Sequence, residues 1–160
     1  MIKSTIRNYT EVFSQLIFKD INYKLSGKQN LTDIDGVFEI KGHVFIIESK
    51  KHKNGLNDGQ LCSLLNQAFN TYMSGKNAQL VYRIGEKDGQ LTYLVWSTKQ
   101  FEAMMRGEEP YPFIVRNQTN DWLATRLEKF EQLALKCDNK ETNKRNRHIF
   151  GMTNKLKMII

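Results

Sequence analysis

Residues 32–51 read TDIDGVFEIKGHVFIIESKK, Thr32 to Lys51, and the way this stretch pairs with itself decides the fold. Lys41-Gly42 suits a two-residue hairpin turn, where both central positions need a positive φ that glycine supplies without strain. Ile40 then faces His43, and each cross-strand pair has residue numbers summing to 83. This register sets Asp35 opposite Glu48 and Asp33 opposite Lys50. Side chains alternate with a period of two, so all four share one face of the sheet. A slip of one residue would break the set. Directly opposed side chains have Cβ atoms ~4.5–5.5 Å apart, and like charges there repel. Two carboxylates tolerate such closeness when one is protonated or a cation lies between them.

Mg²⁺ suits the place, with Mn²⁺ as the alternative. It is a hard ion that takes one or two carboxylates, keeps several waters and accepts phosphate oxygens at its remaining positions. A cation there polarises a phosphate and lowers the pKa of a bound water. Lys50 is expected to hold that water or to stabilise negative charge growing on phosphorus-bound oxygen.

Outward from the hairpin, Val44-Phe45-Ile46-Ile47 is apolar on both faces, the pattern of a strand covered on both sides. Upstream, Tyr9, Val12, Phe13, Leu16 and Ile17 recur at helical spacing, with Asn8 and Glu11 placed as a capping box. Downstream, Asp58 is expected to cap a helix burying Leu61, Leu64, Leu65, Ala68, Phe69 and Tyr72. Ala78 to Ile84 and Leu91 to Trp96 read as strands joined through Lys87-Asp88-Gly89. Ser97 or Thr98 caps a short helix with Phe101, Met104 and Met105, and GEEPYPF then interrupts the pattern. A last helix from about Asp121 to Lys136 presents Trp122, Leu123, Leu127, Phe130 and Leu133. The expected fold is an α/β sandwich, a four-stranded mixed sheet flanked by helices.

At 160 residues with 40% hydrophobic side chains, the chain is long enough for a real core and is not generally disordered. No apolar run reaches the ~20 residues that span a bilayer, which predicts no membrane partner. The N-terminal residues lack a signal-peptide pattern, and Cys62 and Cys137 form no metal or disulfide framework, so a cytoplasmic location is expected. The net charge is +7. Between Lys136 and Ile160 seven basic residues stand against two acidic ones, so most of the excess lies in this segment. The division expected is a domain over 1–135 and a basic extension over 136–160. Such charge attracts polyanions, and Lys144, Arg145 and Arg147 are candidate DNA contacts. Lys51 and Lys53, in a second basic cluster beside the hairpin, are candidate contacts to a DNA backbone. A solvated tail and a solvated loop are the plainer alternatives.

Other residues carry two readings each. Gln60 is either an early-helix polar residue or a group poised where a helix N-terminus favours phosphate. Glu11 either completes its capping box or reaches a metal. Asp33 is expected to pair with Lys50 or cap the strand. His43, at the hairpin turn, is expected to be exposed and idle. Trp96, Tyr111 and Trp122 are expected in packing rather than base stacking.

Asp35, twelve residues, then Glu48-Ser49-Lys50 resembles the metal site of the PD-(D/E)xK nuclease superfamily, with Ile34 standing where the family name has proline. The resemblance implies a restriction-endonuclease-like fold with an αβββαβ core. It implies Asp35 and Glu48 as metal ligands and Lys50 as the catalytic lysine. Gln60 resembles a glutamine found at that place in several branches. Glu11 resembles the helix-one glutamate that archaeal Holliday-junction resolvases use as a further ligand. Residues 7 to 96 are similar in layout to those resolvases, which act as symmetric dimers on branched DNA. The activity implied is Mg²⁺-dependent DNA phosphodiester hydrolysis, on a Holliday junction or other branched DNA. A recombination exonuclease, a restriction-type endonuclease and a non-catalytic basic nucleic-acid-binding protein are the alternatives.

Overall fold

The Lys41-Gly42 turn forms with positive φ at both residues, 51° and 90°. It joins β1 (Gly36–Ile40) to β2 (His43–Lys50) in an antiparallel pair running from Ile40↔His43 to Gly36↔Ile47. The register is the one that sums to 83. These coordinates come from a computed structural model, which describes residues 34–160. The helix expected around Tyr9 to Ile17, its cap Asn8, Glu11 and Asp33 lie outside the described residues.

After β2 the chain passes a single 3₁₀ turn (Lys53–Gly55) and enters α1 (Asp58–Met73). The N-cap of α1 is Asn57 rather than Asp58; its side chain accepts from Gln60 N–H at 3.0 Å. A crossover of this length allows β3 (Ala78–Gly85) to lie parallel to β2, with Glu48 paired to Tyr82 and Lys50 to Ile84. β4 (Leu91–Trp96) returns antiparallel through a turn at Gly89, followed by α2 (Thr98–Met105).

Among the described residues the sheet has five strands, one more than the sequence reading. The addition is β5 (Phe113–Gln118), antiparallel to β4 at the edge, in sheet order β1-β2-β3-β4-β5. Its residues FIVRNQ lack the alternation of a half-buried strand, and Phe113 and Ile114 stay exposed. A register shift next to Leu91 and Tyr93 and a positive φ at Asn117 mark a bulge there. Beyond β5 come α3 (Asn120–Lys136), α4 (Lys140–Ile149) and α5 (Met152–Ile159). The basic extension is therefore helical.

The sheet is covered on both faces, which gives a mixed α/β architecture. On one side Ile46, Leu80, Tyr82, Ile84 and Trp96 pack with Leu64, Leu65 and Ala68 of α1 and Phe101 of α2. On the other, Phe45, Val81, Tyr93 and Val95 meet Phe130 of α3, whose ring stands edge-on to Phe45 at 5.3 Å. Alternate residues of β2 thus feed two separate cores, as its unbroken apolar run requires. Along α3, Ala134 is buried while Leu133 points to solvent. Trp96 belongs to the core and donates from Nε1 to the Pro110 carbonyl. Trp122 stacks on Tyr93 at 4.5 Å, whereas Tyr111 is exposed.

His43 is not idle. It is 2% exposed and clamped at both ring nitrogens. Nδ1 accepts from Asn77 N–H at 3.0 Å, so the proton resides on Nε2, which donates to Asn139 Oδ1 at 2.9 Å. Asn139 in turn donates from Nδ2 to the carbonyls of Ala134 and Cys137. The imidazole thus ties the start of β2 to the junction between α3 and α4.

Candidate functional site

Two parallel strands end side by side where β2 and β3 stop, and α1 begins across the same end. Crevices at the carboxyl ends of parallel strands are common binding places in α/β folds. Glu48 and Lys50 lie at that end of β2, on the face covered by α1.

Glu48 is the centre of the arrangement. It is only 4% exposed, although it carries a carboxylate. Its Oε1 accepts from Gln60 Nε2 at 2.9 Å and lies 3.3 Å from Lys50 Nζ. The Asp35 backbone N–H approaches Oε2 at 3.4 Å. A carboxylate this deep is tolerated because a cation and directed donors replace its water. Lys50 is placed by strand periodicity: two residues on from Glu48, it projects to the same face, and its stem lies against Gly55. It pairs with Glu48; Asp33, its expected partner, lies outside the described residues.

Asp35 sits just before β1, and continuing the register places it opposite Glu48. Its Oδ2 accepts from Ser49 N–H at 2.7 Å. Each acidic residue is therefore bonded to the backbone of the opposite strand near the other. Asp35 is exposed whereas Glu48 is buried, so the pair opens to solvent on one side.

Gln60, in the first turn of α1, takes part through its side chain. The Asn57 cap fixes its backbone and its Nε2 reaches Glu48, leaving Oε1 buried without a partner among the described residues. Tyr82 had no role in the sequence reading, yet it is paired with Glu48 across the parallel strands. Its ring is wholly buried and its hydroxyl also lacks a partner among the described residues. Burial, followed by the nearby charges of Glu48 and Cys62, pushes the phenol up to about 12. On the opposite face of the same strand ends, Arg83 donates to Ser49 Oγ at 3.1 Å and to Asn120 Oδ1 at 2.8 Å. No signal in the sequence pointed to Tyr82 or Arg83, because the β2–β3 register depends on how α1 packs.

Lys51 and Lys53 are exposed in the loop that follows Lys50. The Lys51 carbonyl lies so close to Gly85 that a Cβ there would stand 2.7 Å from its oxygen. Lys144, Arg145 and Arg147 are exposed on α4. Asn139, next to the start of α4, is bonded to His43, at the opposite end of β2 from Glu48. Five strand steps separate His43 from Glu48, about 17 Å. The structure thus brings Asp35, Glu48, Lys50 and Gln60 together and anchors the basic helix at the other end of the strand.

Among the described residues no three His, Cys, Asp or Glu side chains gather as a metal cage. The acidic donor set there is the Asp35–Glu48 pair. That pair still fits Mg²⁺, which needs only one or two carboxylates and fills its octahedron with water and phosphate oxygen. No helix among the described residues is long and apolar enough to cross a membrane. Compared with protein-family models, with curated proteins and with solved structures, the chain matches none.

Proposed function

We propose that this protein is a metal-dependent nuclease of the PD-(D/E)xK kind, hydrolysing DNA phosphodiesters with Mg²⁺ or Mn²⁺. The observation that carries the reading is the buried Glu48 carboxylate, set beside Asp35 and held by Lys50 and Gln60. A hairpin needs none of these groups for folding at that position. An apolar residue in place of Glu48 would continue the core.

In this reading Asp35 and Glu48 would hold a cation, which when bound would acidify a water and polarise a phosphate. Gln60 fixes the orientation of Glu48. Lys50, held against Glu48, neutralises negative charge that grows on the phosphate in the transition state. Lys51 and Lys53 extend positive potential along the path of a nucleic-acid backbone. The exposed lysines and arginines of α4 add affinity farther off, in proportion to the phosphates they neutralise. Preference for branched DNA, and action as a symmetric pair of subunits, rest on the resemblance to archaeal resolvases alone.

The test is cleavage of labelled linear duplex, single strand, flap and four-way junction in Mg²⁺, Mn²⁺ or EDTA. Wild type is compared with Glu48→Gln and Lys50→Met. The expected result is metal-dependent cutting that falls at least ~100-fold in both variants while binding persists. Binding that is indifferent to metal, without cutting and unchanged by either substitution, would establish a non-catalytic nucleic-acid-binding protein instead.

A further inference from the structure

Tyr82 holds an oxygen that packing does not explain. Its ring stands edge-on to Trp96 at 5.7 Å and is closed off from solvent. A phenylalanine would fill the same space, and it would avoid burying an O–H that has no acceptor among the described residues, which is destabilising. Orphaned polar groups of this kind are rare in folded proteins, and catalytic or ligand-linked roles are among their explanations.

Glu48 supplies such a role. It is the cross-strand partner of Tyr82, both side chains project to the face under α1, and Glu48 is close enough for its charge to act on the phenol. In the resting arrangement Oε1 is held by Gln60 and Lys50, while Oε2 has, among the described residues, only the long contact from Asp35 N–H. An incoming cation repels the Lys50 ammonium, and a phosphate attracts it. Either event strips Glu48 of its charged donor. The hydroxyl of Tyr82, on the residue paired with Glu48 across the strands, is a proton donor that holds no other bond among the described residues.

We propose that Tyr82 is a positioning residue of the carboxylate site, its O–H becoming a donor to Glu48 when Lys50 turns away to ligand. This rests on the nuclease reading above. It adds a second support for Glu48, on the side opposite the solvent-facing Asp35. The resting site then retains an unpaired hydroxyl because the loaded site uses it.

Two measurements on the full chain test this. Mn²⁺ binding is followed by the electron paramagnetic resonance of the free ion, and thermal unfolding is recorded in EDTA. Tyr82→Phe is expected to melt at the same or a higher temperature without metal. It is expected to bind Mn²⁺ at least about tenfold more weakly, the loss typical when a group behind a metal ligand is removed. Glu48→Gln serves as the control that abolishes binding. Equal Mn²⁺ affinity in wild type and Tyr82→Phe would overturn the role of Tyr82 and leave the nuclease reading standing. A lower melting temperature in EDTA would also overturn it, by giving the hydroxyl a structural role. A wild type that binds no Mn²⁺ would overturn both.

Discussion

Replacing Lys50 with methionine tests the physical basis of the site without any substrate. Lys50 Nζ lies 3.3 Å from Glu48 Oε1, and the two side chains are 20% and 5% exposed. Coulomb attraction at that distance is ~5 kcal/mol with an effective dielectric of ~20 and ~1.3 kcal/mol in bulk water. The partly open lysine and the nearly closed carboxylate place the loss between these limits, at about 3 kcal/mol. Methionine keeps most of the apolar stem against Gly55, so the change is chiefly one of charge. Glu48 would keep its bonds from Gln60 and Asp35 but lose its cation, which a neutral donor such as the Tyr82 O–H does not replace, and an uncompensated buried charge is strongly destabilising. For a chain of this size ~1 kcal/mol shifts the melting temperature by roughly 3–4 °C. Lys50→Met is therefore expected to melt about 10 °C below wild type by calorimetry in EDTA. Adding Glu48→Gln removes the stranded charge and should return most of that loss. A Lys50→Met protein that melts within ~2 °C of wild type would refute the reasoning, as would a double variant less stable than the single one.

Three further outcomes follow from the same geometry. Gly85→Ala places a methyl 2.7 Å from the Lys51 carbonyl, where backbone must yield. It is expected to lower stability by ~1–3 kcal/mol in denaturant unfolding and to weaken Mn²⁺ binding by displacing the end of β2. Tyr82 ionises at about 12 in the folded protein against 10.0 ordinarily, so the unfolded chain loses this proton first as pH rises. Stability is fully present below pH 10 and is lost between 10 and about 12, by about 2–3 kcal/mol. Tyr82→Phe should flatten that part of an alkaline unfolding profile. Asn139→Ala removes the acceptor of the buried His43 Nε2–H and should cost ~1–3 kcal/mol. Hydrogen exchange should show it as faster exchange in α4, with β3 and β4 unchanged.

The hairpin was legible in the sequence because every determinant of it is local. Lys41-Gly42 specifies a tight turn, the turn specifies the register, and the period of two then sets Glu48 and Lys50 on one face, with Asp35 one step beyond the last strand pair, Gly36↔Ile47. The two-sided apolar run of β2 and the helical spacing in α1 and α3 are equally local signals, and those elements stand where they were expected. Even here the reading erred by a residue at the α1 cap, since Asn57 and Asp58 both offer a capping oxygen and only the turn geometry chooses.

What tertiary structure alone decided involves groups far apart in the chain. β5 has too little alternation to announce itself and becomes a strand because β4 offers a free edge. His43, at a turn, looked exposed until Asn139, ninety-six residues away, closed over it. Tyr82 became the neighbour of Glu48 through a parallel register that no turn dictates; the packing of α1 against the sheet sets it. An antiparallel hairpin carries its register in its turn, whereas a parallel pair takes its register from side chains buried elsewhere. The hairpin register was therefore readable from sequence, and the pairing of Tyr82 with Glu48 was not.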